Sequence, residues 1–192
     1  MSDVTRAARR PRADAARNRA AILDAARTAF TAAGEDASLE AIARSAGVGI
    51  GTLYRNFPTR EELVAAVYAS ELDAVLATVP DLLARHTPDA ALRAFLDTYA
   101  GFIATKRGMA ESVRAGAIRS AAESADTRRR VNEAVGLILA AGAEQGVFRE
   151  GMAADDVTAA MIGVFLTTAN SADPGQTGRL LDLLVRGLAA GE

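Results

Sequence analysis

The stretch SLEAIARSAGVGIGTLYRNF, residues 38 to 57, leaves a chain few ways to fold. Leu39, Ile42, Ala43 and Ala46 share one face of a short helix, with Ser38 placed as its N-cap. Gly47 stops that helix, because a left-handed backbone at a helix end is cheap only for glycine. Leu53 and Phe57, four apart, anchor a second short helix over about residues 50–57. Ala43 is small where the two helices would approach, Gly47 makes the turn, and Leu53 packs the second helix back on the first. That is the layout of a helix-turn-helix. Two further glycines, Gly49 and Gly51, are not needed for the turn. Glycine weakens a helix by about 1 kcal/mol relative to alanine, so these two imply a backbone that something outside the chain approaches closely.

Helical spacing continues on both sides. Ile22, Ala26, Ala29, Phe30 and Ala33 define a preceding helix that Gly34 ends. Residues 1–16 are polar, basic and interrupted by Pro11, and read as a flexible arm. After the motif, Thr59 and Glu62 have capping-box spacing. Val64, Val67, Tyr68, Leu72, Val75 and Val79 then mark a helix over 59–79 that Pro80 breaks. Pro88 suits a first helical position, and Leu92, Phe95, Leu96, Tyr99, Phe102 and Ile103 keep the spacing. A shorter segment follows around Met109 to Ile118. Val131, Val135, Ile138 and Leu139 mark a helix ended near Gly146, and two last helices are expected around 155–170 and 176–189. No stretch alternates with period two, so the expected fold is all-α, with about nine helices.

Charge divides the 192 residues unevenly: residues 1–60 hold ten arginines against six acids, and the remainder twelve basic groups against eighteen acids. A basic head on an acidic body suggests that one end meets a polyanion. There is no cysteine and one histidine, His86, which leaves neither a zinc cluster nor a triad with a neighbouring partner. Asp155-Asp156 and Glu61-Glu62 are adjacent pairs that point in different directions on a helix. No phosphate-binding glycine loop is present, and neither an enzyme activity nor a cofactor is expected. No uninterrupted apolar run reaches the ~18 residues of a membrane span, and no apolar signal core follows the arginine-rich N-terminus. A cytoplasmic protein without a membrane partner is expected.

Residues 17–76 resemble the N-terminal domain of the TetR family of bacterial transcriptional regulators. The matching residues are Ile22-Leu23-Asp24-Ala25-Ala26 with Phe30 and Gly34, Ile42-Ala43, Ala46-Gly47-Val48, Gly51-Thr52-Leu53-Tyr54-Arg55, Phe57-Pro58 and Glu62-Leu63. The resemblance implies a three-helix DNA-binding domain over 17–58. A larger helical domain over 59–192 would bind a small effector and dimerise, with helix 59–79 as connector. Two positions depart from the family's habit: Gly49 stands where a serine or threonine usually caps the recognition helix, and Asn56 where a basic or aromatic residue is frequent. Arg60 stands where the family often has a lysine that meets a phosphate, and keeps the charge.

On that basis Ser38, Thr52, Tyr54 and Arg60 are candidates for phosphate contacts, which set position rather than sequence choice. Ile50, Gly51 and Arg55 are candidates near base edges, an arginine pairing with guanine and an isoleucine touching a thymine methyl. Gly49 and Asn56 complete the set. Periodicity alone is satisfied equally by Ile50 as core, Tyr54 as a partly buried aromatic and Arg55 as a solvated side chain. Arg6, Arg9, Arg10, Arg12, Arg17 and Arg19 can reach a neighbouring groove or simply solubilise the arm.

In the acidic half Phe95, Tyr99, Phe102, Met109, Arg114, Ile118, Met161 and Phe165 are candidate effector-pocket lining, and each serves equally as ordinary core. Ala160, Gly163 and Thr167 on one late helix, and Leu181, Leu184, Val185 and Leu188 on the next, are candidates for a homodimer interface in the four-helix bundle that the resemblance implies; a monomer core explains them too. The expected function is a repressor that leaves a pseudo-palindromic double-stranded operator when a small-molecule effector binds. The alternatives are an effector-independent architectural DNA-binding protein and, least of all, an enzyme.

Overall fold

The computed structural model describes residues 4–108 and 121–191, and Met109, Arg114 and Ile118 lie outside these. The described residues form α1 (Val4–Ala33), a 3-10 turn (Gly34–Asp36), α2 (Leu39–Ser45), α3 (Ile50–Asn56), α4 (Arg60–Leu76) and α5 (Val79–Arg85). Then follow α6 (Pro88–Gly108), α7 (Ala121–Glu144), α8 (Ala154–Thr167) and α9 (Gln176–Gly187). The fold is all-α; among the described residues the one β-type pairing is an isolated bridge between Phe148 and Ala189.

Two expectations need correction. The N-terminal segment read as a flexible arm is helical from Val4. Alanine and arginine, which dominate it, are among the strongest helix formers, and they carry the helix through Pro11. Pro80 does not end the helix before it. α4 stops at Leu76, and Pro80 sits in the first turn of α5, where its missing N–H has no partner to lose. The run Arg60–Arg85 is long and apolar enough, by length and composition, to cross a membrane. Leu63, Val64, Val67, Tyr68, Leu72, Val75 and Val79 within it are buried, however, as in a core helix.

The chain packs as two compact units that divide inside α4, between Glu71 and Leu72, and again inside α6, between Ile103 and Ala104, so that the end of α6 is counted with the N-terminal unit. The core of the N-terminal unit joins Ile22, Ala25, Ala26 and Phe30 of α1 to Ile42 and Ala43 of α2, Leu53 of α3, Phe57, and Leu63, Val64 and Val67 of α4. The first half of α4 therefore belongs to this core, beyond the boundary expected at 58/59.

In the C-terminal unit α5 packs on α7, α7 on α8, and α8 on α9. Leu92, Phe95, Leu96, Val135, Ile138, Val157, Met161 and Leu181 are among its buried side chains. α7 ends in a glycine cap: Gly146 has φ +67°, and Val147 N–H donates to Gly142 O at 2.8 Å. The returning chain lays Phe148 over Gly142, where a Cβ would stand 2.0 Å from the ring.

Candidate nucleic-acid interface

α2 begins and ends on side-chain and backbone devices that the sequence announces. Ser38 Oγ accepts from Ala41 N–H at 3.2 Å and donates to Glu40 Oε2 at 2.9 Å. Glu40's own backbone N–H, and then the Ser38 hydroxyl, hold its carboxyl below the usual carboxylate range. At the other end Gly47 takes φ +68°. Its N–H donates to Arg44 O at 3.1 Å and Val48 N–H to Ala43 O at 3.0 Å, the paired bonds of a Schellman cap. This fixes the turn between α2 and α3. Leu53, fully buried, holds α3 down, and Ala43 is 2% exposed where α2 meets the core.

The remaining face of α3 is turned outward. Ile50 is 38% exposed, which does not fit the alternative of a core residue, and Tyr54 is 45% exposed. Arg55 is exposed, and its guanidinium donates to Thr52 Oγ1 at 3.0 Å. Asn56, half-buried, folds its amide back on Thr52 O at 2.8 Å. Gly49 is the N-cap residue, with extended backbone and no side-chain cap bond. A Cβ on Gly49 or on Gly51 would meet nothing within 4 Å. Nothing described in the protein therefore demands glycine at either position, whereas the positive φ demands it at Gly47.

Arg60, the first residue of α4, is placed differently from the other candidates. Its guanidinium donates to Ala37 O at 2.5 Å and to Gly34 O at 3.2 Å, and lies 5.1 Å from the Phe30 ring centroid. Nearby, Thr59 Oγ1 accepts from Glu62 N–H at 3.2 Å, one half of the expected capping box. Arg19 lies over the Phe57 ring at 4.4 Å, Arg17 pairs with Asp14, and Arg27 links Asp24 at 2.6 Å to Glu71 at 3.4 Å. The side chains of Arg6, Arg9, Arg10 and Arg12 are outside the described ones.

In the C-terminal unit Phe95, Tyr99, Phe102, Met161 and Phe165 are all buried. Tyr99 is the hub of their rings, 6.1 Å from Phe95, 5.3 Å from Phe102 and 5.9 Å from Phe165. Sequence reasoning missed Thr158, which shares the α8 face of Met161 and Phe165. It is fully buried, and its hydroxyl has no hydrogen-bond partner among the described residues. The late helices also need correction. Leu181 and Leu188 are 1% and 3% exposed within one chain, so they belong to its own core and not to an outer surface. Ala160 and Thr167 are exposed, and Gly163, Leu184 and Val185 are half-buried. Leu166 and Leu183, absent from the expected set, are 72% and 63% exposed. His86 is exposed, and no acid–histidine group able to hold a metal ion occurs among the described residues.

A fixed glycine turn, a buried second-helix anchor and an outward α3 define a helix-turn-helix transcriptional regulator. The profile described as bacterial regulatory proteins, tetR family, matches residues 22–67. The one described as transcriptional regulator SbtR-like, C-terminal domain, matches residues 87–190. The fold is similar to that of a TetR transcriptional regulator from Streptomyces coelicolor, with TM-score 0.76 and 40% identity over 91% of this chain and 99% of that one. A TetR regulatory protein from Mycobacterium vanbaalenii gives TM-score 0.72 and 28% identity over 93% and 98%. The chain belongs to the TetR family, a family of transcriptional regulators and not of enzymes. Among curated proteins, the HTH-type transcriptional regulator SrpR of Pseudomonas putida is 40% identical over 92 residues, 47% of this chain and 43% of SrpR. The match thus spans less than half of that relative's length.

Proposed function

We propose that this protein is a cytoplasmic repressor that binds a pseudo-palindromic operator as a homodimer and releases it when a small molecule binds the C-terminal unit. The observation that carries the reading is α3, whose Gly49 and Gly51 face open space beside exposed Ile50, Tyr54 and Arg55. A major-groove helix needs its N-terminal turn to come close to DNA, and two such helices at fixed spacing are needed to read a two-fold site. Support for two copies comes from exposed Leu166 and Leu183 beside Ala160, Gly163 and Thr167. Large exposed leucines on adjoining helices suit an interface better than solvent.

The effector would enter the aromatic group around Tyr99, displacing or rearranging the side chains that now fill it. Thr158 supports that placement. A buried hydroxyl without a partner costs about 1–3 kcal/mol, and a polar atom of a ligand would recover it. Release requires that the effector bind the two states of the dimer with different affinity, and α4, which like α6 is divided between the units and leads directly from α3, is the element proposed to carry the difference.

The test is binding of the purified protein to its own upstream intergenic DNA and to a scrambled duplex across a salt series. Tighter, more salt-resistant binding to the true fragment at two chains per site is expected, followed by its loss in a screen of small molecules. Equal, salt-sensitive binding to both duplexes would leave only a non-specific cationic attraction. Specific binding that no small molecule changes would favour the architectural alternative.

A further inference from the structure

The lysine-for-arginine resemblance at Arg60 suggests a phosphate contact, but its surroundings point to another role. Among its contacts Arg60 reaches the ring of Phe30 near the end of α1, Gly34 O at the left-handed exit of α1, and Ala37 O directly before the Ser38 cap of α2. Gly34 has φ +54°, so the turn it opens is one that ordinary residues adopt reluctantly. Arg60 supplies donors to two backbone carbonyls that this turn exposes. A planar guanidinium can span two acceptors while lying on an aromatic face; an ammonium is a point charge without that fork.

We propose that Arg60 is a positioning residue, which ties the first turn of α4 to the α1–α2 turn and so sets how α2 and α3 are presented to DNA. It acts through Ala37 and Gly34 rather than by contributing charge to the operator. A shift of α4 at its first turn then moves the Ser38 cap, and α2 with it, because one side chain joins them. The consequence for operator binding rests on the DNA-binding reading above; the consequence for the turn itself does not.

Arg60→Lys separates the two roles, since it keeps the charge and removes the fork. In the free protein, amide hydrogen exchange at Ala41 and Ile42, whose N–H groups bond to Ser38 Oγ and Ser38 O, is expected to speed up. Per folded molecule, well below the unfolding temperature, affinity for the specific fragment should fall about tenfold, the size of one lost charge-assisted hydrogen bond. Affinity for the scrambled duplex and the slope of log K against log salt should stay as in the wild type. A role in stability alone would not move the specific-to-scrambled ratio of the folded protein. Wild-type affinity in Arg60→Lys, with a slope shallower by about one in Arg60→Gln, is the signature of a phosphate ligand and would overturn the proposal. So would unchanged exchange at Ala41 and Ile42. If the wild type itself prefers no fragment, the DNA reading fails, and the exchange comparison alone decides whether Arg60 holds the turn.

Discussion

In the N-terminal unit a Cβ placed on Gly49 or Gly51 would meet nothing within 4 Å; in the C-terminal unit one placed on Gly142 would lie 2.0 Å from the Phe148 ring. The same residue type answers two different constraints. Gly142 is required by the chain's own packing, because the turn at Gly146 folds Phe148 back over α7. Gly49 and Gly51 answer to no neighbour among the described residues, which is equally true of Gly101, Gly163 and Gly187 in the C-terminal unit; for the pair ahead of α3 the proposed DNA contact would supply a constraint. Charge follows a related division. Helices of the C-terminal unit are cross-linked by ion pairs, Arg93 to Asp182 at 2.5 Å and Arg128 to Asp155 at 2.6 Å, with Arg130 on Asp73. Among the described residues Arg55 on α3 is satisfied by the Thr52 hydroxyl of its own helix, a bond that a phosphate or a base edge can replace. The N-terminal unit has an ion pair between helices as well, Arg27 of α1 to Glu71 of α4 at 3.4 Å, so the difference lies in α3 and not in the unit as a whole.

The largest effects should not distinguish the units at all. Leu53 and Phe95 are both fully buried, and Leu53→Ala and Phe95→Ala should each cost about 2–5 kcal/mol in denaturant unfolding. A much smaller loss at either site would mean that the corresponding core is loosely packed and would spoil the comparison at its base. Next in size is Gly142→Ala. Phe148, 2% exposed, has little room to retreat, and overpacking of this kind costs about 1–3 kcal/mol. Affinity for operator DNA per folded molecule should be unchanged. A neutral Gly142→Ala would show that the chain after Gly146 is free to lift off α7.

Gly51→Ala should have the opposite sign. With open space for the methyl group and an ordinary helical backbone, the free protein gains about 0.5–1 kcal/mol from the better helix former. Operator affinity should fall in the same variant, because the methyl group stands where the groove wall approaches. Melting and DNA titration of one preparation check both halves. A variant that is more stable and binds equally well would remove the external constraint from Gly51.

What the sequence made legible follows the same line. Ser38, Gly47 and Leu53 could be placed because each answers a local backbone or packing demand at a fixed spacing, which a one-dimensional pattern records. Ile50 could not be settled, because it stands three before Leu53 and helical period alone puts it near the core. Leu166 and Leu183 were overlooked, and Leu181 and Leu188 stayed open between an interface and a monomer core, because an apolar residue on an amphipathic helix carries no mark of whether its partner is the same chain or another. Thr158 was hidden for the converse reason, a polar side chain being expected on the wet face. Pro80 was read as a stop although proline serves equally well as a start. Arg60 shows the limit most clearly: its charge is written in the sequence, but its partners, Ala37 O and Gly34 O, are more than twenty residues away and are backbone atoms of no particular residue type.

The smallest predicted effect concerns an ion pair within the C-terminal unit. Asp155, in the first turn of α8, accepts from Arg128 Nε at 2.6 Å and from Asn132 Nδ2 at 2.8 Å. The Arg128 hydrogen bond, and then that of Asn132, bring its carboxyl pKa down to about 2 from the ordinary 3.8. A carboxyl whose pKa is lower in the folded state contributes stability that is complete above its unfolded value and disappears as pH falls through the folded one. The contribution should therefore be intact above pH about 4 and be lost between roughly pH 4 and 2. The pair is exposed, and salt should weaken it further. Asp155→Asn should lower the melting temperature slightly at neutral pH and flatten its decline in that acid window, while leaving operator affinity unchanged. An acid limb identical to the wild type would mean that Arg128 and Asn132 do not hold Asp155 in solution. A change in operator affinity would mean that this contact in the C-terminal unit bears on α3, and the separate treatment of the two units would have to be redrawn there.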